Sequence, residues 1–210
     1  MKPQTSHDLF ALAPVVPVVV LDDAGTAVPL ARALARGGLP AIEVTLRTEA
    51  GLTAIERIAA EVPEAVVGAG TVTTPGLAAA AAKAGAAFLV SPGCTDRLRG
   101  AMADTGVPFL PGVATASEAM TLLEQGVDAL KFFPAEAAGG RTYLKSLSGP
   151  LPQVRFCPTG GVTPASAPEY LALPNVGCVG GTWLTPRDAV EAGDWDRIES
   201  LAREAAALRP

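Results

Sequence analysis

Histidine is almost missing from this chain, and its scarcity narrows the chemistry available. The one histidine, His7, lies in the polar leader "MKPQTSHD". A histidine-built metal site and a histidine general base are therefore not expected, and only a carboxylate-bound ion stays open. Cysteine is also sparse. Cys94, Cys157 and Cys178 are far apart and odd in number, with no CxxC pair, so neither a disulfide framework nor a zinc knuckle is indicated, and a reducing cytoplasm fits. Positive charge is in deficit: 16 Lys and Arg face 21 Asp and Glu, a net charge of -5. That balance opposes general attraction to nucleic acid or to an anionic membrane and points to a small-molecule partner, for which a local basic pocket would suffice. Long apolar runs are absent too. The longest, "ALAPVVPVVVL" at 11–21, contains two prolines and is followed by Asp22 and Asp23, too short to span a bilayer. It also makes a poor signal peptide, because the preceding segment has one lysine with a nearby aspartate and no convincing cleavage site follows.

What the chain does have is a core: 210 residues, 49% hydrophobic and 18% charged, enough for one compact domain. The expected organisation is a single domain over 1–210, with a mobile or capping leader at 1–13 and the body at 14–210. Eight short apolar runs alternate with longer Ala/Leu-rich segments of helical character, with Gly, Pro or Thr at nearly every junction. The runs at 15–21, 41–46, 65–70, 87–92, 108–113, 129–133, 155–159 and 176–181 read as strands. Threonines open the intervening segments and glycines close them, as helix caps should. Eight βα alternations predict an α/β fold, a (β/α)8 TIM barrel with its functional groups at the C-terminal ends of the strands. An open doubly wound sheet is the structural alternative, but no segment gives G-x-G-x-x-G between strand and helix.

Strand alternation then sorts the polar groups. In "AIEVTLR" Ile42, Val44 and Leu46 take one side, leaving Glu43, Thr45 and Arg47 on the other. In "DALKFFPAE" the same rule sends Leu130 and Phe132 outward and Lys131 and Phe133 inward. Lys131 and Glu43 can then meet across the barrel. Two readings follow. One is a buried ion pair with Arg47 as a rim charge. The other is a desolvated lysine beside a second cation, whose lowered pKa lets the neutral amine attack a carbonyl and form a Schiff base while Glu43 moves protons. "PTGG" after the seventh run and "VGGTW" after the eighth add a phosphate-binding pattern at consecutive strand ends, with Thr159 and Thr182 beside the glycines.

"EVTLRT", "GAGTV", "SPG", "LKFFPAE", "PTGG" and "VGGTW" stand in an order and spacing that closely resembles the class I aldolases for 2-keto-3-deoxy-6-phosphogluconate and 4-hydroxy-2-oxoglutarate, over about residues 14–186. The resemblance implies Lys131 as the Schiff-base lysine, Glu43 as general acid/base and Arg47 as the binder of the pyruvate carboxylate. It further implies Thr71 at the carboxylate end, Pro92 in the pocket wall and Phe133 over the pyruvyl group. Thr159, Gly160, Gly161, Gly180, Gly181 and Thr182 would receive the phosphate end. No metal or organic cofactor is implied, and a homotrimer is. One departure stands out: the family usually has serine where this chain has Thr182, and threonine adds a methyl group and β-branch stiffness. The rivals are a non-catalytic phosphosugar-binding barrel, for which Lys131 is only structural, and a phosphosugar isomerase or epimerase, which needs no imine lysine.

Overall fold

Apolar strands and threonine-capped helices alternate along the chain in this computed structural model, which describes residues 3–208. Among the described residues the strands are β1 (Val15–Val19), β2 (Ala41–Thr45), β3 (Val66–Gly70), β4 (Leu89–Val90), β5 (Phe109–Leu110), β6 (Gly112–Val113), β7 (Ala129–Phe132), β8 (Arg155–Pro158) and β9 (Val179–Gly181). The helices are α1 (Ser6–Leu12), α2 (Ala27–Arg36), α3 (Ala50–Glu61), α4 (Pro75–Lys83), α5 (Asp96–Asp104), α6 (Ala116–Glu124), α7 (Gly140–Leu147), α8 (Ala167–Leu171), α9 (Arg187–Ala192) and α10 (Trp195–Ala206). Thr74, Thr95 and Thr115 cap α4, α5 and α6, each hydroxyl accepting from a backbone N–H three residues on. None of these helices is long and apolar enough to cross a membrane.

All strand pairs are parallel, in a six-stranded sheet of order β5-β4-β3-β2-β1-β9 and a three-stranded sheet of order β6-β7-β8. β8 and the β9 segment meet at two isolated parallel bridges, Phe156–Val176 and Thr159–Gly180. The eight expected strands are not all continuous. The run at 108–113 is two short strands, because Pro111 between them has no N–H to give the ladder, although its carbonyl accepts from the Lys131 N–H at 3.0 Å. The fold is thus α/β with a curled parallel sheet in two arcs.

The curl produces two apolar layers, and strand alternation assigns residues to them. Val15, Val19, Ile42, Val44, Val67, Ala69, Leu130, Phe132 and Phe156 pack outward against helix residues such as Leu30, Ile55, Leu144 and Ile198. Val16, Ala41, Val66, Phe88, Val90, Leu110, Ala129, Cys157 and Cys178 form an inner cluster. The leader closes the floor of that cluster. Its helix α1 is held by a capping box between Thr5 and Asp8 and inserts Leu9, 1% exposed, into the inner layer. Phe10 lies so close to Gly177 that a Cβ there would stand 2.4 Å from its ring. His7 Nε2 is 2.7 Å from Asp128 Oδ1, tying α1 to the start of β7. With one end plugged, polar groups on the inner face are left at the other, where the strands finish.

Candidate active site

Lys131 and Glu43 come together as the alternation requires. The Lys131 Nζ donates to Glu43 Oε1 at 3.1 Å, and the two residues are only 4% and 3% exposed. They are 88 residues apart in sequence and lie on β7 and β2, which belong to different arcs of the sheet. The Phe133 ring centroid is 5.4 Å from the same nitrogen, within cation–π range. β3 makes room for the carboxylate: a Cβ on Gly70 would fall 2.2 Å from Glu43 Oε1. Cys157 is the register partner of Lys131 on β8. A hydrogen bond from the Cys178 thiol, aided by the charge of Lys131, outweighs burial and holds the Cys157 thiol below its ordinary pKa, while Cys178 is pushed well above it.

Arg47 and Thr71 form a second pair, in which Arg47 Nε donates to Thr71 Oγ1 at 3.2 Å. Thr71 has φ +59°, in the left-handed region that a β-branched residue rarely enters. A strained residue at a strand end is a signature of a site whose surroundings hold it in place. Pro92 follows β4, and its carbonyl carbon lies where a Cβ on Gly112 would be 2.3 Å away, so loop and β6 are in close contact. Buried Ser91 beside it accepts from the Gly112 N–H at 3.3 Å.

At the far rim, Thr159 is bridged to Gly180, and Gly160 and Gly161 take φ of +99° and +83°. Here the glycines serve the chain's own packing. A Cβ on Gly180 would meet Thr159 Oγ1 at 2.2 Å, one on Gly181 the Trp183 ring at 2.3 Å, and one on Gly161 the Cγ of Glu136 at 2.6 Å. Glu136, the last residue of "LKFFPAE", is a structural anchor, a role that the motif does not signal. It accepts from the Tyr170 hydroxyl at 2.6 Å, and its N–H bonds the Gly160 carbonyl at 3.0 Å. Thr182 is exposed and lines a cavity of about 500 Å³ together with Val18, Val20 and Thr185. Among the described residues no three His, Cys, Asp or Glu side chains gather as metal ligands would.

A lysine buried against one carboxylate, inside a curled parallel sheet with an arginine at its rim, suits imine chemistry on a keto acid, the work of class I aldolases. The family model described as KDPG and KHG aldolase matches residues 7–201. The chain belongs to that family. The 2-dehydro-3-deoxy-phosphogluconate aldolase of Pseudoalteromonas atlantica is 53% identical over 203 residues, 97% of this chain and 94% of that protein. The structure of the KDPG aldolase of Legionella pneumophila, with pyruvate captured as a covalent carbinolamine intermediate, aligns with TM-score 0.94 at 45% identity, covering 98% of this chain and all of that one (100%). The Zymomonas mobilis 2-keto-3-deoxy-6-phosphogluconate aldolase with 3-phosphoglycerate aligns with TM-score 0.91 at 48% identity, covering 97% and 96% of the two chains.

Proposed function

We propose that this chain cleaves 2-keto-3-deoxy-6-phosphogluconate to pyruvate and glyceraldehyde 3-phosphate through an imine on Lys131. The observation that carries the reading is the 3.1 Å contact between buried Lys131 and Glu43. Passing the ammonium proton along that contact to the carboxylate leaves an amine able to attack the C2 ketone. The carbinolamine hydroxyl takes that proton back from Glu43 and leaves as water, giving a protonated imine and returning Glu43 to its carboxylate form. Glu43, acting through a water, removes the C4 hydroxyl proton; the C3–C4 bond breaks, the aldehyde leaves and the bonding electrons flow into the imine as an enamine. Return of a proton to C3 and hydrolysis of the imine free pyruvate and Lys131. The imine is itself the electron sink, so the steps call for no metal or organic cofactor.

Arg47, supported by Thr71, takes the substrate carboxylate, for which a planar fork is better suited than a point charge. Phe133 covers the pyruvyl group and Pro92 shapes the wall beside it. Thr159, Gly160, Gly161, Gly180, Gly181 and Thr182 take the phosphate end. The same pyruvyl half is present in 4-hydroxy-2-oxoglutarate, which the same steps would split to pyruvate and glyoxylate. In this reading β5 and β6 act as one strand interrupted at Pro111, the β8–β9 bridges close the two arcs into an eight-stranded barrel, and 1–210 is a single domain. The chain then works as a homotrimer, as its resemblance to the family implies, in the reducing cytoplasm that its three scattered cysteines fit.

Incubation with pyruvate and borohydride, followed by peptide mass spectrometry, tests the mechanism. The expected result is a stable adduct on Lys131 and on neither Lys83 nor Lys145. An adduct elsewhere, or none, would sink the imine and favour a binding barrel or an isomerase.

A further inference from the structure

The inner face of β1 carries Val16 and Val18, and Val20 continues the same side just past the strand's end. Val16 belongs to the inner apolar cluster, Val18 is the register partner of Glu43, and Val20 is 45% exposed. From Val18 upward this face lines the cavity of about 500 Å³, whose other wall carries Thr182, Thr185 and Arg187. The cavity therefore begins at the level of the reacting centre and opens at the rim. Its mouth holds three carboxylates, Asp22, Asp23 and Glu191, against one cation, Arg187. Such a mouth repels a phosphate dianion unless the guanidinium is turned to it.

Arg187 is held in a way that permits this. Its Nε donates to Glu191 Oε1 at 2.7 Å, a charge-assisted bond to the residue four positions on along α9. Its contact with Asp22 is long, 4.0 Å, and both side chains are largely exposed, so that pair is held weakly in water. The Nε edge of the fork is hydrogen-bonded to Glu191 and the other edge is only loosely engaged, both in water, and a guanidinium edge fits phosphate oxygens. We infer that Arg187 is the residue by which this chain distinguishes phosphorylated from unphosphorylated substrates, the substrate phosphate near Thr182 displacing Asp22 as its second partner while Glu191 stays in place. The inference rests on the aldolase reading above, which puts the phosphate at the Thr182 end.

Cleavage of 2-keto-3-deoxy-6-phosphogluconate and of unphosphorylated 2-keto-3-deoxygluconate by wild type, Arg187→Gln and Asp22→Asn tests it. Arg187→Gln is expected to raise KM for the phosphorylated substrate about tenfold, the effect of losing one hydrogen bond to a charged group, with kcat changed less than about twofold. The unphosphorylated substrate should keep its KM within the same limit. Asp22→Asn, which removes the competing carboxylate, should lower KM for the phosphorylated substrate. Equal losses on both substrates in Arg187→Gln, an unchanged KM for the phosphorylated one, or a KM raised alike by both substitutions overturns the inference. A wild type that fails to cleave the phosphorylated substrate overturns the aldolase reading itself; an active wild type with selectivity untouched in Arg187→Gln overturns only the role of Arg187.

Discussion

The carboxylate of Glu43 fills the space that a side chain on Gly70 would need, since a Cβ built there would stand 2.2 Å from Oε1. The Lys131 contact thus depends on an absent atom in the neighbouring strand. Gly70→Ala should push Glu43 off its line to Lys131 and slow the exchange of pyruvate methyl protons by roughly 100-fold, the effect of about an ångström of misplacement. Borohydride trapping on Lys131 should survive. Glu43→Gln, which removes the carboxylate altogether, should slow exchange by about 100- to 10,000-fold if it carries the proton as proposed. Exchange followed by proton NMR in deuterated buffer checks both, and wild-type exchange in Glu43→Gln would reduce that residue to an ion-pair partner.

Thr71 bears a conformational cost for the hydroxyl it presents to Arg47. Residues held in sparsely populated backbone regions cost on the order of 1–3 kcal/mol each. Thr71→Gly removes that cost, offset by roughly 0.5–1 kcal/mol of added chain entropy. The variant should therefore melt no lower than wild type while binding pyruvate more weakly. Arg47→Lys should likewise weaken pyruvate binding more than phosphate binding. Calorimetric titration with pyruvate and with inorganic phosphate separates the two ends, and equal loss of both would put Arg47 at the wrong end of the site.

Much of this geometry is legible in the sequence because alternation along a strand is a hard constraint. Placing Ile42 and Val44 outward leaves Glu43 no other face, and Leu130 with Phe132 fixes Lys131 in the same way. Continuity of strands is less legible. Pro111 reads as one more apolar residue of its run, yet its missing N–H splits that run in two. The capping signal Thr5-x-x-Asp8 is written in the leader, and it foretells α1 where composition suggested only a polar segment. The glycines of "VGGTW" are visible, but the occupants of the space they leave, Thr159 and the Trp183 ring, are set by folding. The Asp22–Arg187 pair joins the loop after β1 to the start of α9, a proximity that no local pattern carries.

Helix α1 should matter for stability and not for chemistry. Leu9 is buried in the inner cluster at the floor, beneath the level of Lys131 and Glu43. Leu9→Ala should destabilise the protein by about 2–5 kcal/mol, the range for truncating a buried leucine. Urea denaturation measures the loss, and kcat of the folded fraction at low temperature should be unchanged. A stability loss near zero would mean that α1 rests on the sheet without sealing it.

The last prediction concerns alkaline pH. Burial pushes the Cys94 thiol up to about 11, so in the folded chain it keeps its proton beyond the pH at which an unfolded cysteine loses it. The sign follows directly: a group that binds its proton more tightly when folded favours the fold fully below its unfolded pKa, and that advantage is lost as pH rises through the folded value. The contribution of Cys94 should accordingly be flat below pH about 8.5 and decline toward pH 11. Cys178, pushed up by donating to Cys157 and by burial, acts in the same direction, whereas Cys157 is shifted down and opposes it. Comparing wild type with Cys94→Ala isolates the first thiol, because the other two are common to both proteins. The gap in stability between them should shrink in favour of the variant above pH 9. Iodoacetamide at pH 8 gives an independent reading: Cys94 should react on the order of 10-fold more slowly than a free cysteine, because its roughly 100-fold smaller thiolate fraction is only partly offset by the greater nucleophilicity of a high-pKa thiolate. Labelling at the free-cysteine rate would mean that the Cys94 pocket opens readily, and the alkaline difference between the two proteins should then vanish as well.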